Sequence, residues 1–174
     1  HIIDVCAAPG GKSLHAAELL AGTGMVEARD VSDYKVSLLQ ENIARMGLTN
    51  IKAEKWDATI KKEDSIEQAD VVICDAPCSG LSVVAGKPDI KYHMDAQKQK
   101  DLAKLQRNIL DVVCAYVKKN GTLLYSTCTI SAIENEDNVA WFLQKHPEFV
   151  CEKQCQILPQ MGKKDGFFYA KLVR

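Results

Sequence analysis

The sequence predicts an α/β fold built on a mostly parallel sheet, and three observations predict it. Short apolar runs alternate with amphipathic stretches of helical period, the pattern of repeated strand–helix units. The first apolar run leads straight into Ala7-Ala8-Pro9-Gly10-Gly11-Lys12-Ser13, a tight turn followed by a helix start. Cys78 and Cys128 each follow a later apolar run, which puts both at carboxyl ends of strands, where open α/β sheets form their ligand crevice.

Taken in order, residues 2–6 read as the first strand and residues 12–20 as the start of the first helix. Residues 25–30 form a second strand. Residues 33–46 follow as a helix with Val36, Leu39, Ile43 and Met46 on one face, capped by Ser32 or Asp33 and ended by Gly47. Residues 51–56 are a third strand and residues 69–75 a buried fourth. The glycine- and lysine-containing loop over 80–95 is long enough to be functional rather than a connector. A helix over 97–117 places Leu102, Leu105, Ile109, Val112 and Tyr116 on one side. An Asn120-Gly121 turn precedes a fifth strand over 122–126, and Ser131-Ala132-Ile133-Glu134 has the capping-box pattern for the next helix. Residues 149–157 and 167–173 read as two strands separated by a polar loop, with no internal repeat, low-complexity run or interdomain linker anywhere.

At 174 residues with 22 basic and 23 acidic side chains, the chain predicts one domain with a sizeable core and no chain-wide basic surface. No run is apolar enough to span a membrane, and no signal peptide is visible. Seven cysteines, an odd count, fit a reducing cytoplasm better than a disulfide framework. His1-Ile2-Ile3-Asp4 reads as a strand that starts at the first residue, so the chain reads as part of a longer protein cut before its first core strand; a monomer is expected.

The glycine turn admits three readings. A nucleotide-hydrolase loop ending in Gly11-Lys12-Ser13 needs a glycine where Cys6 stands, and Pro9 removes an amide from the phosphate cradle, although Val71-Val72-Ile73-Cys74-Asp75 resembles its metal-binding strand. A dinucleotide fold needs three spaced glycines, and only Gly10 and Gly11 are present. An adenosyl ligand fits best: amides at the helix start can hold a carboxylate, and Asp30, at the end of the second strand, can accept from ribose hydroxyls.

The run from Asp4 to Ser13, with Asp75-Ala76-Pro77-Cys78-Ser79-Gly80 and Ser126-Thr127-Cys128, closely resembles the Sun/Fmu family of RNA cytosine-5 methyltransferases. The resemblance extends through Pro88-Asp89-Ile90-Lys91, Gln106, Glu134-Asn135-Glu136 and Gly166-Phe167-Phe168-Tyr169-Ala170, with small departures at Ser13 and Thr129. It implies a class I, Rossmann-like, S-adenosylmethionine-dependent methyltransferase core with seven strands. Residues 1–174 would be the catalytic domain, lacking an amino-terminal RNA-binding region. It further implies that Cys6, Ala7, Ala8, Pro9, Gly10, Gly11 and Lys12 wrap the methionine end of the cofactor. Asp30 would take the ribose, Asp57 the adenine amine, and Asp75 would lie between cofactor and target base. RNA is the implied partner, ribosomal RNA first and transfer RNA second.

The chemistry explains the residue types. Cytosine C5 is a poor nucleophile until a thiolate adds at C6, after which C5 can attack an activated methyl carbon without any metal. By resemblance Cys128 is that nucleophile, Cys78 assists release of the product, and Asp75 bonds the N3/N4 edge. Lys12 would contact the base carbonyl and make the local field more positive, lowering a nearby thiol pKa; spacing alone does not divide the roles of the two thiols.

The other cysteines have plainer readings. Cys74 and Cys114 are small buried apolar residues. A zinc site from Cys74, Cys78, Cys151 and Cys155 is disfavoured, because strand geometry turns Cys74 inward and no histidine pattern accompanies it. His15, His93 and His146 face solvent or cap local polar groups, and Trp56 packs either on the adenine or in the core. Lys87, Lys91, Lys98 and Lys100 fit a solvated face or an RNA path equally. DNA cytosine-5 methylation, whose nucleophile is a Pro-Cys thiol, is the rival enzyme class; an RNA-binding factor without turnover is the non-enzymatic rival.

Overall fold

The computed structural model describes residues 1–160 and 164–174, which form one seven-stranded sheet with helices on both faces. Its elements are β1 (Ile2–Asp4), α1 (Gly11–Leu20), β2 (Val26–Asp30), α2 (Asp33–Met46), β3 (Ile51–Lys55) and β4 (Ala69–Asp75). They continue with α3 (Ile90–His93), α4 (Ala96–Val113), β5 (Val117–Thr127), α5 (Glu136–Lys145), β6 (Val150–Ile157) and β7 (Phe167–Val173). The strand order is β3-β2-β1-β4-β5-β7-β6, and every pairing is parallel except those of β7 with β5 and β6. The order reverses between β1 and β4, so a crevice opens at the carboxyl ends of these strands. No helix among the described residues is long and apolar enough to cross a membrane.

The apolar runs are buried on both faces, as a parallel sheet requires. Leu14, Ala17, Val26, Ala28, Leu39 and Ile51 pack α1 and α2 on one side, whereas Val72, Ile109, Leu110, Val113, Tyr125 and Phe142 fill the other. Helix α2 begins at Ser32, whose side chain accepts from the Lys35 amide at 3.4 Å, and ends at Gly47, whose φ of 65° suits a residue without a side chain. Helix α4 starts one residue earlier than the periodicity gives, because Asp95 caps it through the Lys98 amide at 2.8 Å.

Four expectations need correction. The predicted apolar face of α4 is rotated: Ala103, Gln106, Ile109, Leu110 and Val113 are buried, and Leu105 borders the crevice instead. The cause is Gln106, drawn inward by polar partners beneath the Cys78 loop. The capping box at Ser131–Glu134 does not form, since Glu134 turns to the distant Ser79 amide and α5 starts at Glu136 without a side-chain cap. Asn120-Gly121 is not a turn before β5 but an irregularity within it: the register jumps between Ala69 and Val71, and Asn120 takes a φ of 64°. The long loop over 80–95 carries a short 3₁₀ turn, Leu81–Val83, and the single turn α3. Part of the polar loop expected between β6 and β7 lies outside the described residues.

Gly121 sits where that irregularity folds against β4, and a Cβ there would lie 2.9 Å from the Lys118 carbonyl and 3.0 Å from that of Asp70. Gly121→Ala should therefore lower stability by about 1–3 kcal/mol. A urea midpoint shifted down at unchanged slope would show it; an unshifted midpoint would mean that the backbone yields freely.

Candidate active site

Three strands of the crevice end on a carboxylate: Asp4 closes β1, Asp30 closes β2 and Asp75 closes β4. The fourth, β5, ends at Thr127, so Cys128 is the first residue beyond it. The sheet thus gathers at one edge residues that are far apart in sequence.

The carboxylates are held differently. Asp4 is buried and accepts from Ser13 Oγ at 2.6 Å and, more weakly, from the Cys6 amide at 3.4 Å. Burial outweighs these bonds and pushes its pKa up to about 6. Asp30 is also buried; its oxygens accept from the Ala8 amide at 3.0 Å and the Val31 amide at 2.8 Å, with Lys35 Nζ at 3.0 Å. Asp75 is more open, paired with Lys12 Nζ at 2.6 Å on one oxygen and holding Ser126 Oγ at 2.7 Å on the other.

Two adjoining hollows share Cys6, Ala8 and Asp75. The larger, about 480 Å³, is walled by Val5, Val31, Trp56, Ala58, Leu105 and Ile109, with Asp30 and Asp57 on its rim. The smaller, about 230 Å³, runs along residues 6–9, Gly11 and Lys12. These residues fit an adenosyl ligand with an amino-acid end. A Cβ at Gly11 would meet no protein atom within 4 Å, so the turn leaves its space to whatever fills the smaller hollow. Asp57 holds Thr59 through Oδ1 alone, at 2.9 Å to its amide and 2.7 Å to its hydroxyl, which leaves Oδ2 for an exocyclic amine. Gly10, with φ at 117°, makes the turn itself.

The predicted residues Cys6 to Lys12, Asp30, Asp57 and Asp75 therefore border one crevice, with Gly10 buried beneath it, and Trp56 belongs to its wall. Cys6 contributes backbone rather than chemistry: burial and the neighbouring carboxylates push its thiol far above the ordinary range. The sequence puts Leu105 and Ile109 on a helix face and Asp4 at the head of the family motif, but gives none of them a place in the crevice. The expected strand ran on to Cys6, whereas β1 ends at Asp4, which is what places this carboxylate at the strand end.

Beyond Asp75 the two thiols meet. Cys78 Sγ and Cys128 Sγ are 3.0 Å apart, and the Cys128 amide donates to Cys78 Sγ at 3.2 Å. Their titration is unequal. The hydrogen bond from Cys78 draws the Cys128 pKa down to about 7, whereas the same bond, with burial, pushes Cys78 well above the ordinary range. The contact thus favours the thiolate at Cys128 over that at Cys78. The cation that favours this thiolate is Lys87; Lys12, expected from sequence to supply the positive field, is engaged by Asp75.

The remaining candidates lie elsewhere. Cys74 is buried in the core. Cys114 is buried beside His146, which bonds Asp111 at 3.0 Å and stacks on Phe142. Cys151 and Cys155 lie on β6, and among the described residues no three His, Cys, Asp or Glu side chains group as a metal site. Lys87, Lys91, Lys98 and Lys100 are exposed.

Because Cys78 supplies the proton that stabilises the thiolate, Cys78→Ala should return Cys128 toward an ordinary thiol and slow its alkylation at pH 7 by about tenfold. Iodoacetamide labelling of the Cys128 peptide across pH, read by mass spectrometry, measures this. A midpoint that stays near neutrality would assign the effect to Lys87 instead.

Comparison with known proteins places the chain in a family. The model of the family described as 16S rRNA methyltransferase RsmB/F matches residues 1–173. The chain is 41% identical over 189 aligned residues to the probable ribosomal RNA small subunit methyltransferase B of Bacillus subtilis, covering 98% of this chain and 42% of that protein. It is 36% identical to the ribosomal RNA small subunit methyltransferase B of Salmonella paratyphi B, covering all of this chain and again 42% of the relative. It thus spans about two fifths of the length of these relatives. The crystal structure of NSun6 from Pyrococcus horikoshii with SFG, an analogue of S-adenosylmethionine, superposes with a TM-score of 0.87 at 33% identity, covering 99% of this chain and 47% of that one.

Proposed function

The chain belongs to the RsmB/F family of 16S rRNA methyltransferases, and we propose that it methylates C5 of a cytosine in RNA through a covalent bond between Cys128 and C6. Ribosomal RNA is the first substrate, transfer RNA the second. The observation that supports this most is the thiol pair: Cys128, just beyond the end of β5, has its sulfur 3.0 Å from that of Cys78, a contact that favours the Cys128 thiolate.

The cofactor of this family, S-adenosylmethionine, when bound supplies a methyl carbon already activated by a sulfonium. Asp30 and Asp57 would hold its ribose and adenine, and the turn from Cys6 to Lys12 its methionine end. Cys128 attacks C6 as the thiolate, forming the S–C6 bond and moving electron density to C5. Asp75 holds the N3/N4 edge, exchanging its contact with Lys12 for the base, and Lys12 then reaches the base carbonyl. Ser126 fixes the other Asp75 oxygen meanwhile. After transfer, a base takes the C5 proton, the C5–H electrons re-form the C5–C6 double bond, and the S–C6 bond breaks with its electron pair returning to Cys128 as the thiolate. Once Cys128 is bonded to carbon, Cys78 no longer faces a thiolate; after giving its own proton to solvent, it is the base placed to take the C5 proton. The base must be unstacked to admit both groups, so a loop or locally opened helix is the expected target.

RNA carrying 5-fluorocytosine tests the assignment in the full-length protein, because fluorine at C5 cannot depart as a proton and the adduct persists. Wild type and Cys78→Ala should trap the RNA and Cys128→Ala should not. Loss of the adduct only in the Cys78 variant would reverse the roles of the thiols; cofactor binding without methyl transfer to any RNA would favour a non-catalytic binding factor.

The exposed lysines after Cys78 lie where RNA phosphates would run. Lys87→Glu with Lys91→Glu should weaken RNA binding and flatten its salt dependence, by about one unit of log–log slope for each phosphate no longer neutralised. Unchanged affinity in a salt titration would remove them from the RNA path.

A further inference from the structure

Glu134 and Asn135 adjoin in sequence between β5 and α5, and neither enters the mechanism above. Glu134 is fully buried, and its Oε2 accepts from the Ser79 amide and from Gln106 Nε2, each at 2.9 Å. Gln106 Nε2 also donates to the Pro77 carbonyl at 2.9 Å. The backbone on both sides of Cys78 is thereby held by one carboxylate and the amide bonded to it.

Asn135 does the same for the other thiol. Its Oδ1 accepts from Thr127 Oγ1 at 2.5 Å, and its Nδ2 donates to the Thr129 carbonyl at 2.9 Å. The residues before and after Cys128 are thus both held. A hydroxyl contact of 2.7 Å between Ser79 and Thr129 joins the two loops directly. Ser82 adds a further hold, its amide donating to the Cys128 carbonyl at 3.2 Å.

One more observation points beyond ordinary loop packing. Glu134 Oε1 is buried without a hydrogen-bond partner among the described residues. A buried carboxylate with an orphan oxygen is a costly way to pack a loop that a smaller neutral side chain could fill.

We propose that Glu134 and Asn135 are positioning residues that together set the separation of the Cys78 and Cys128 sulfurs. Glu134 acts through the Cys78 loop and Asn135 through the Cys128 loop. Because they are consecutive, displacement of one loop is resisted by the anchor of the other. An S–H donor is weak, so its contact with a second sulfur persists only where the backbone fixes both. The proposal rests on the reading of these thiols as the reacting pair.

The test is the pH dependence of Cys128 alkylation, which needs no RNA. The groups bearing on it are Cys78, Asp75 at the end of β4 and Lys87 in the long loop. Glu134→Ala should raise the Cys128 midpoint by about one pH unit, as the Cys78 donor moves out of reach. Glu134→Gln should restore it, since an amide oxygen can accept from the same two donors. The melting temperature, recorded alongside, identifies a variant that has merely unfolded. An unchanged midpoint in folded Glu134→Ala overturns the proposal.

Should Glu134→Ala fail to fold, Thr127→Val takes its place. It keeps the size of the side chain and removes the bond that Asn135 Oδ1 accepts, and the same rise is expected; an unchanged midpoint again counts against the proposal. Trapping with 5-fluorocytosine RNA in the same proteins separates this claim from the cytosine-5 reading. A wild type that shows the neutral midpoint but forms no adduct sinks the latter, while a raised midpoint in the variants still supports positioning.

Discussion

The site depends on the register of β4 against β5. Asp75 lies opposite Ser126, and from that pair the two chains run on into the Cys78 and Cys128 loops. A parallel pairing shifted by one residue would turn every side chain to the opposite face. Asp75 would lose Ser126, and the two sulfurs would no longer meet. The irregularity around Asn120 and Gly121 takes up the extra residues of β5 before this register begins. Its backbone is packed tightly against that of Asp70, so a feature far from the crevice sets the alignment inside it.

Three strand-end carboxylates lie close together, and each makes a different compromise with its surroundings. Asp4 is deepest, and its raised pKa reflects charge that the surrounding hydrogen bonds do not fully compensate. Asp30 is satisfied by backbone amides and a lysine. Asp75, the most open, has a lysine partner that is itself partly exposed and can be exchanged. The graded burial separates permanent structure at Asp4 from replaceable contacts at Asp75. That gradient runs from the base of the crevice to the place where a substrate would enter.

Much of this was legible in the sequence. Alternation of period gave the order of the principal strands and helices, and the crowded turn at Pro9, Gly10 and Gly11 marked the ligand side of the sheet. The failures share one cause, which is that distant contacts override local signals. Ser131-Ala132-Ile133-Glu134 is a sound capping box by local rules, but its glutamate is claimed by an amide fifty-five positions away. Gln106 stood out only through the family resemblance and lay off the helix's expected apolar face, yet its amide is needed beneath the Cys78 loop, and the helix turns to bury it. Nor could spacing divide the roles of the thiols. Their inequality arises from the contact between the two sulfurs and from their differing burial, a property of three-dimensional placement.

The dipeptide that grips both thiol loops also constrains how the chain can change length. Loops between a strand and a helix ordinarily absorb insertions and deletions at little cost. The stretch from Thr129 to Ile133 cannot, because it is anchored at Thr129 by Asn135 and followed at once by the buried Glu134. It behaves as a strut rather than a tether. One residue more or fewer would move the glutamate away from Ser79 and, with it, the adjoining asparagine away from Thr127. Variation in length should therefore collect in the loop over 80–95, whose exposed end lies on the solvent side of these anchors, while the strut keeps its length.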